Sequence, residues 1–138
     1  MRYRLFGNSG LRVSDLALGT MTFSSSRLPR GDRPAPGAEW SWCATEDEAR
    51  RIFARYVDHG GNFVDTADVY AGGTAEPLVG ELIAPHRDRL VLATKFGLST
   101  DDTDVNASGS SHRTMVRAVE RSLTRLSTDH IDLLWLHA

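Results

Sequence analysis

The chain has 138 residues, of which 41% are hydrophobic and 25% charged, and these proportions are typical of one soluble globular domain rather than a disordered chain. A formal net charge of −2 gives no electrostatic reason to expect nucleic acid or an anionic membrane as a partner. The single cysteine, Cys43, excludes an internal disulfide, and no apolar run approaches the ~20 residues that span a bilayer, so we expect a cytoplasmic protein.

The N-terminal part predicts a small hairpin followed by a buried strand. Residues 2–14 hold two short apolar runs around a turn at Gly7-Asn8-Ser9-Gly10, which is typical of a β-hairpin. The apolar run at 16–21 predicts the first buried strand. Residues 24–44 are rich in Ser, Pro, Gly and Arg, so we expect a long loop there.

The first predicted helix has a recognisable start and end. Thr45 and Glu48 have the spacing of a capping box. Gly60-Gly61 is expected to end the helix, and a strand over about 62–66 follows. The apolar residues that recur at helical spacing and would form the buried face are Ala49, Ile52, Phe53, Tyr56 and Val57.

A second helix and strand come next. The helix is predicted over about 75–84, with Thr74 as its N-cap and Pro77 in its first turn. The strand is predicted over about 90–95, and the polar residues 97–111 should form another loop. The expected buried face of the helix consists of Leu78, Val79, Leu82 and Ile83.

The last predicted helix covers about 113–126 and the last strand about 131–136, with a turn at Asp129-His130 between them. One side of the helix should be buried, and it carries Met115, Ala118, Val119, Ser122, Leu123 and Leu126.

The order of elements, a hairpin and then four strands alternating with three helices, indicates an α/β fold with a parallel sheet. Two architectures fit: a small open doubly wound sheet, or part of a (β/α)₈ TIM-type barrel. No Gly-x-Gly-x-x-Gly or phosphate loop follows the first strand, which weakens the open nucleotide-binding sheet. A whole barrel takes about 250 residues, so residues 1–138 would supply its N-terminal half as one unit.

Four polar side chains lie at or just beyond the ends of three predicted strands, and they are Asp65, Tyr70, Lys95 and His137. In parallel α/β folds that edge of the sheet is where ligands bind. A carboxylate, a phenol, an ammonium and an imidazole gathered there would suit proton transfer. Each also has a structural reading: Asp65 could be a cap, Tyr70 a rim aromatic, Lys95 a snorkelling side chain and His137 a frayed terminal residue.

No metal site is predicted. The histidines other than His137 lack ligand spacing with one another or with Cys43. The aspartates within 101–104 lack the glycine and the terminal glutamate of an EF-hand loop, so a solvated loop is expected.

Four motifs, met in order along nearly the whole chain, resemble the aldo-keto reductase family. Gly10-Leu11-Arg12-Val13-Ser14 and the run at 16–21 are similar to its opening hairpin and first strand. Asp65-Thr66-Ala67-Asp68-Val69-Tyr70, with Glu76 and Gly80 downstream, resembles its first signature, and Ala93-Thr94-Lys95-Phe96-Gly97 its lysine motif. The fourth motif is Ser122-Leu123-Thr124-Arg125-Leu126, then Thr128-Asp129 and Ile131-Asp132-Leu133 leading to His137.

The resemblance implies a (β/α)₈ fold and NAD(P)H-dependent reduction of an aldehyde or ketone to an alcohol, usually with NADPH as the cofactor. It implies that Asp65, Tyr70, Lys95 and His137 form a catalytic tetrad. The residues that it implies at the nicotinamide end of the cofactor are Gly19, Thr20, Met21 and Asp65.

The implied tetrad suits the chemistry of carbonyl reduction. Hydride added to the carbonyl carbon leaves negative charge on the oxygen, so a proton donor is needed, and Tyr70 is the candidate. A tyrosine ordinarily titrates near pH 10, and a nearby ammonium such as that of Lys95 favours the phenolate. Asp65 would hold Lys95 charged and oriented, while His137 would hydrogen-bond the carbonyl oxygen or relay the proton.

The resemblance ends at the fourth strand, whereas family members bind most of the cofactor through the second half of the barrel. We therefore expect residues 1–138 alone to be incomplete for cofactor binding. The alternative to an enzyme is a non-catalytic scaffold or regulatory binding module, or an inert fragment of the family. Because a half barrel leaves the first and fourth strands with open edges, we expect either a partial sequence or self-association.

Overall fold

A computed structural model describes residues 1–23 and 43–137, so nearly all of the predicted loop 24–44 lies outside the described residues. The chain begins with the predicted hairpin, in which β1 (Tyr3–Leu5) pairs antiparallel with β2 (Arg12–Ser14). The turn between the two strands contains Gly7 and Gly10, both at positive φ, where a side chain would be strained.

Four parallel strands form the main sheet, as the alternation of strands and helices predicts. In spatial order they are β3 (Leu18–Gly19), β4 (Phe63–Asp65), β5 (Val91–Phe96) and β6 (Leu133–Leu136), and this is also their order in the sequence. The first strand pairs over only two residues, which is shorter than the predicted run 16–21.

Three helices connect the strands: α1 (Glu46–Asp58), α2 (Ala75–Ile83) and α3 (His112–Leu126). The capping box of α1 is present, because Thr45 accepts from the Glu48 main chain while Glu48 accepts from the Thr45 main chain. Thr74 is the N-cap residue of α2, as predicted, but its hydroxyl makes no capping bond to the helix and instead donates to the Ala71 carbonyl oxygen.

The sheet separates two apolar clusters on its opposite faces, because successive strand side chains alternate between them. On one face, Val64 and Leu92 pack with residues from all three helices. On the other face, Phe63, Val91 and Ala93 pack with the N-terminal hairpin. The predicted burial of Ile52 was wrong, because 44% of this residue is exposed, whereas Ala49 and Phe53 of the same helix are buried.

Both outer strands of the sheet expose apolar surface. Trp135 and Leu136 of β6 are 38% and 55% exposed, although the sequence predicts a buried strand there. Four consecutive parallel strands with their helices on one face and open edges at β3 and β6 are part of a (β/α)₈ barrel. In the part of the chain that the structure covers, no helix is both long and apolar enough to span a membrane.

Candidate active site

Asp65 and Lys95 share the sheet face that lies opposite the helices. Asp65 ends β4 and pairs in register with Ala93, and Lys95 follows two residues further along β5. Because residues two apart in a strand point to the same side, these two side chains come together above the hairpin-covered cluster. The intervening residue Thr94 points the other way, toward the helices.

The Lys95 ammonium is the centre of the site. Its Nζ donates to Asp65 Oδ2 at 2.5 Å, to the Tyr70 hydroxyl oxygen at 2.9 Å and to the Thr66 carbonyl oxygen at 3.0 Å. An ammonium has three donors, so all of them are used. The Lys95 side chain is only 15% exposed, and this contradicts the reading of a snorkelling lysine.

A tight turn brings Tyr70 onto this ammonium. Tyr70 begins a short 3-10 segment, Tyr70–Gly73, in which Ala71 and Gly72 have φ of 51° and 63°. A left-handed alanine is unfavourable by about 1 kcal/mol, so the turn depends on surrounding contacts such as the Thr74 hydroxyl on the Ala71 carbonyl. The Lys95 Nζ also lies 4.6 Å from the centroid of the Tyr70 ring.

His137 completes the group from the end of β6. Its main-chain N–H donates to the Phe96 carbonyl oxygen at 2.7 Å, and its ring meets the Tyr70 ring edge to face at 5.8 Å. Gly97 allows this approach, because a Cβ there would lie 2.9 Å from the His137 carbonyl oxygen. His137 is therefore held beside Tyr70 and is not frayed.

One nitrogen of the His137 imidazole, Nδ1, is buried without a hydrogen bond in the described part of the chain, residues 1–23 and 43–137. Burial lowers the pKa of His137, the positive charge of Lys95 lowers it further, and Asp65 opposes both effects. The imidazole is therefore neutral at pH 7 and above, with one ring nitrogen protonated and one able to accept.

The residues that the resemblance implies at the nicotinamide end of the cofactor differ in their exposure. Gly19 is exposed beside Asp65, its register partner, and a Cβ on it would meet nothing within 4 Å. Met21 is 51% exposed. Thr20 is fully buried, and its hydroxyl donates to the Asp65 carbonyl oxygen at 3.1 Å. Among the described residues, Gly19 thus leaves open surface next to Asp65, while Thr20 holds the Asp65 main chain.

Sequence reasoning missed a buried ionic cluster behind the site. Glu76 is fully buried, accepts from the Thr94 hydroxyl at 2.7 Å and accepts from Arg125 Nε at 2.6 Å. The signal was available, because Glu76 stands three and seven residues before Val79 and Ile83, which are on the buried face of α2.

Asp68 belongs to the same cluster. It is 4% exposed, and its Oδ1 has no hydrogen-bond partner within the described ranges. Burial and the neighbouring Glu76 raise the pKa of Asp68 to about 6, and Arg125 acts in the opposite direction. Glu76 is bonded to the Arg125 guanidinium, whereas Asp68 is influenced by the charges of both without being paired to Arg125 among the described residues.

Comparison with known proteins gives a consistent family. The sequence model described as the Aldo/keto reductase family matches residues 15–138. Norsolorinic acid reductase stcV of Emericella nidulans is 37% identical over 139 residues, which cover 94% of this chain and 33% of that protein. The uncharacterized oxidoreductase YqkF of Bacillus subtilis is 33% identical over 138 residues, which cover 99% of this chain and 39% of that protein.

A solved structure supports the same assignment. An aldo-keto reductase from Bacillus halodurans, determined in a holo form, superposes with a TM-score of 0.75 at 34% identity and is matched by 99% of this chain. The match covers 40% of that structure. The chain thus spans about a third of the length of the curated relatives and less than half of the solved one.

Proposed function

The chain belongs to the aldo/keto reductase family, and on that premise we propose that it carries the proton-donating half of an enzyme that reduces an aldehyde or ketone to an alcohol with NAD(P)H. Tyr70 is the proton donor in this proposal. Asp65, Lys95 and His137 prepare the phenol and the carbonyl for the transfer.

One observation carries the proposal: a single half-buried ammonium bonds both a carboxylate and a phenol. Lys95 Nζ lies 2.9 Å from the Tyr70 oxygen and 2.5 Å from Asp65 Oδ2. When the phenol gives up its proton, the ammonium stabilises the negative charge left on that oxygen. Asp65 pairs with the ammonium and fixes its direction, since an unpaired charge would be costly at such low exposure.

His137 supplies a second polar contact for the substrate. Its ring lies edge to face with the Tyr70 ring, so both groups border the same space. A neutral imidazole donates one hydrogen bond, which suits a carbonyl oxygen that gains negative charge. The lowered pKa of His137 keeps the imidazole neutral at pH 7 and above. The Tyr70 phenol, and not a protonated imidazole, is then the proton source.

The cofactor supplies the hydride when it is bound. Among the described residues, Gly19 leaves open surface beside Asp65 and Met21 is exposed nearby in the sequence, and this fits the nicotinamide end of NADPH or NADH. In the balanced reaction the carbonyl carbon gains hydride and its oxygen gains the Tyr70 proton. The phenolate is then reprotonated from solvent. NADPH is the cofactor to test first, on the family resemblance, with NADH as the comparison.

A chimera tests the proposal, because the chain covers 40% of its solved neighbour. Residues 1–138 are joined to the C-terminal part of the Bacillus halodurans reductase, and NADPH consumption is followed with a panel of aldehydes and ketones. Tyr70→Phe should lower kcat by about 10²- to 10⁴-fold, because it removes the proton donor. Tyr3→Phe is the matched control, since the Tyr3 hydroxyl donates to the Gly60 carbonyl oxygen and, among the described residues, to no member of the tetrad. Unchanged turnover in Tyr70→Phe would contradict the role of Tyr70.

The second candidate is a non-catalytic binding or regulatory module of the family. NADPH consumption by the chimera separates the two. Reduction that Tyr70→Phe abolishes supports an enzyme, whereas a folded chimera without reduction supports the module.

A further inference from the structure

We propose that Glu76 is a positioning residue, which holds Lys95 against Asp65 and Tyr70 by bonding Thr94 of β5 on the opposite face of the sheet. A role of Glu76 in catalysis rests on the proposed function. The placement of the Lys95 ammonium by Glu76 and Thr94 is argued from structural contacts and does not require that function.

The first step concerns the β4 side of the Thr94–Lys95 segment. Pairing of β4 with β5 ends at Asp65 and Ala93, one residue before Thr94. Among the described residues, the main-chain bonds on that side are from the Thr66 N–H to the Ala93 carbonyl oxygen at 2.9 Å and from the Asp68 N–H to the Lys95 carbonyl oxygen at 3.4 Å. On the other side β6 pairs in register with the segment, Thr94 with Leu134 and Lys95 with Trp135, but β6 is an outer strand with half-buried and exposed residues. The ladder therefore supports this segment mainly from β6, and less from β4.

The second step is that Glu76 supports the segment from the helix side of the sheet. Its Oε1 accepts from the Thr94 hydroxyl at 2.7 Å and its Oε2 from Arg125 Nε at 2.6 Å. One carboxylate thus joins α2, α3 and β5. Both Thr94 and Glu76 are fully buried, so no water competes for these bonds and each is stronger than a surface bond.

The third step links Thr94 to the site. Adjacent residues of a strand point to opposite faces and share a peptide bond, so a displacement of the Thr94 backbone also displaces Lys95. Lys95 must satisfy three acceptors at 2.5 to 3.0 Å, which leaves little tolerance for such a displacement. Holding Thr94 from the helix side therefore holds the ammonium on the other side.

The neighbouring ion pair explains why the anchor is a carboxylate. Arg125 also donates from Nη2 to the Ser122 hydroxyl at 3.3 Å, so its guanidinium is itself oriented by α3. A fully buried carboxylate needs a charged partner and hydrogen bonds at its remaining lone pairs. Arg125 and Thr94 meet these two requirements, and neither side chain reaches Lys95.

His137 provides a readout that needs no cofactor or substrate. The positive charge of Lys95 contributes to lowering the pKa of His137. If Thr94→Val releases the Thr94–Lys95 segment, the ammonium moves from its place and the His137 titration midpoint should shift up, toward the ordinary value of about 6.5. NMR of the imidazole protons of the 138-residue chain measures this midpoint.

Two further variants make the test specific. Thr94→Ser keeps the hydroxyl and should retain the wild-type midpoint. Ser122→Ala is the matched control, because it removes a buried hydroxyl that contacts Arg125 but not β5. The proposal is overturned if Thr94→Val titrates like the wild type, or if Ser122→Ala shifts His137 equally.

A variant that conserves volume covers the case in which Thr94→Val does not fold. Glu76→Gln weakens the same contact and should shift the His137 midpoint in the same direction. Unfolding of both variants would overturn the proposal, since the contact would then maintain the fold rather than the site. If the wild-type chain shows the expected His137 midpoint but the chimera shows no NADPH-dependent reduction, the proposed function is refuted. The positioning role of Glu76 then remains intact.

Discussion

Replacing Asp68 with asparagine should stabilise the chain at neutral and alkaline pH. Asp68 is 4% exposed, and its Oδ1 lacks a partner among the residues described. Burial and the charge of Glu76 raise its pKa from the ordinary 3.8 to about 6. An asparagine keeps the shape of the side chain and removes the charge that the folded state accommodates poorly.

The sign and size of the effect follow from proton linkage. Between pH 3.8 and about 6 the unfolded chain loses the Asp68 proton while the folded chain keeps it, so the free energy of unfolding falls as the pH rises. Above that window the full penalty is present. A difference of about 2 pKa units corresponds to about 3 kcal/mol, and we take this as a ceiling. Asp68→Asn should recover up to that amount near pH 8 and almost nothing near pH 4.

Urea unfolding followed by circular dichroism at a series of pH values measures this difference, with the protein concentration held fixed. Asp88→Asn serves as the control, because Asp88 is exposed and its substitution should change the free energy of unfolding little at any pH. A less stable Asp68→Asn variant near pH 8 would refute the reasoning. So would a stability gain that does not shrink on acidification.

Three other outcomes are expected. Gly80→Ala should destabilise the fold by about 1–3 kcal/mol in thermal unfolding, because the new Cβ would lie 2.5 Å from the Leu126 carbonyl oxygen; a neutral variant would contradict this contact. Asp132→Asn should cost about 1–2 kcal/mol by the same assay, since Asp132 Oδ2 accepts from Arg87 at 2.8 Å; wild-type stability would show that the pair is dispensable. The 138-residue polypeptide should self-associate through the open edges of β3 and β6 in analytical ultracentrifugation, and a cooperative, well-folded monomer would refute this.

Local sequence signals predicted the elements and their order. Helical and strand periodicities identified the hairpin, the three helices and the four main strands, and the Thr45–Glu48 capping box marked the start of α1 correctly. These features succeed because they depend on interactions within a few residues, which the sequence displays directly. The parallel order of the sheet was confirmed for the same reason, since alternating strands and helices leave few other topologies.

The sequence also identified which residues meet at the site. Asp65, Lys95, Tyr70 and His137 come together as expected, because strand ends of a parallel sheet share one edge. Their catalytic roles stay a prediction that the Tyr70→Phe comparison tests. The four residues were identified from the motifs, since each residue by itself could also have had a purely structural role.

Only the tertiary structure decided how these groups are held. The left-handed Ala71 after Tyr70, the burial of Asp68 and the bonds from Glu76 to Thr94 and Arg125 join segments that lie far apart in the sequence. Periodicity predicts which face of an element is apolar, but it does not show which charged side chains will share a buried space. That depends on how α2, α3 and β5 pack, and the same packing leaves β6 half-exposed despite its apolar sequence.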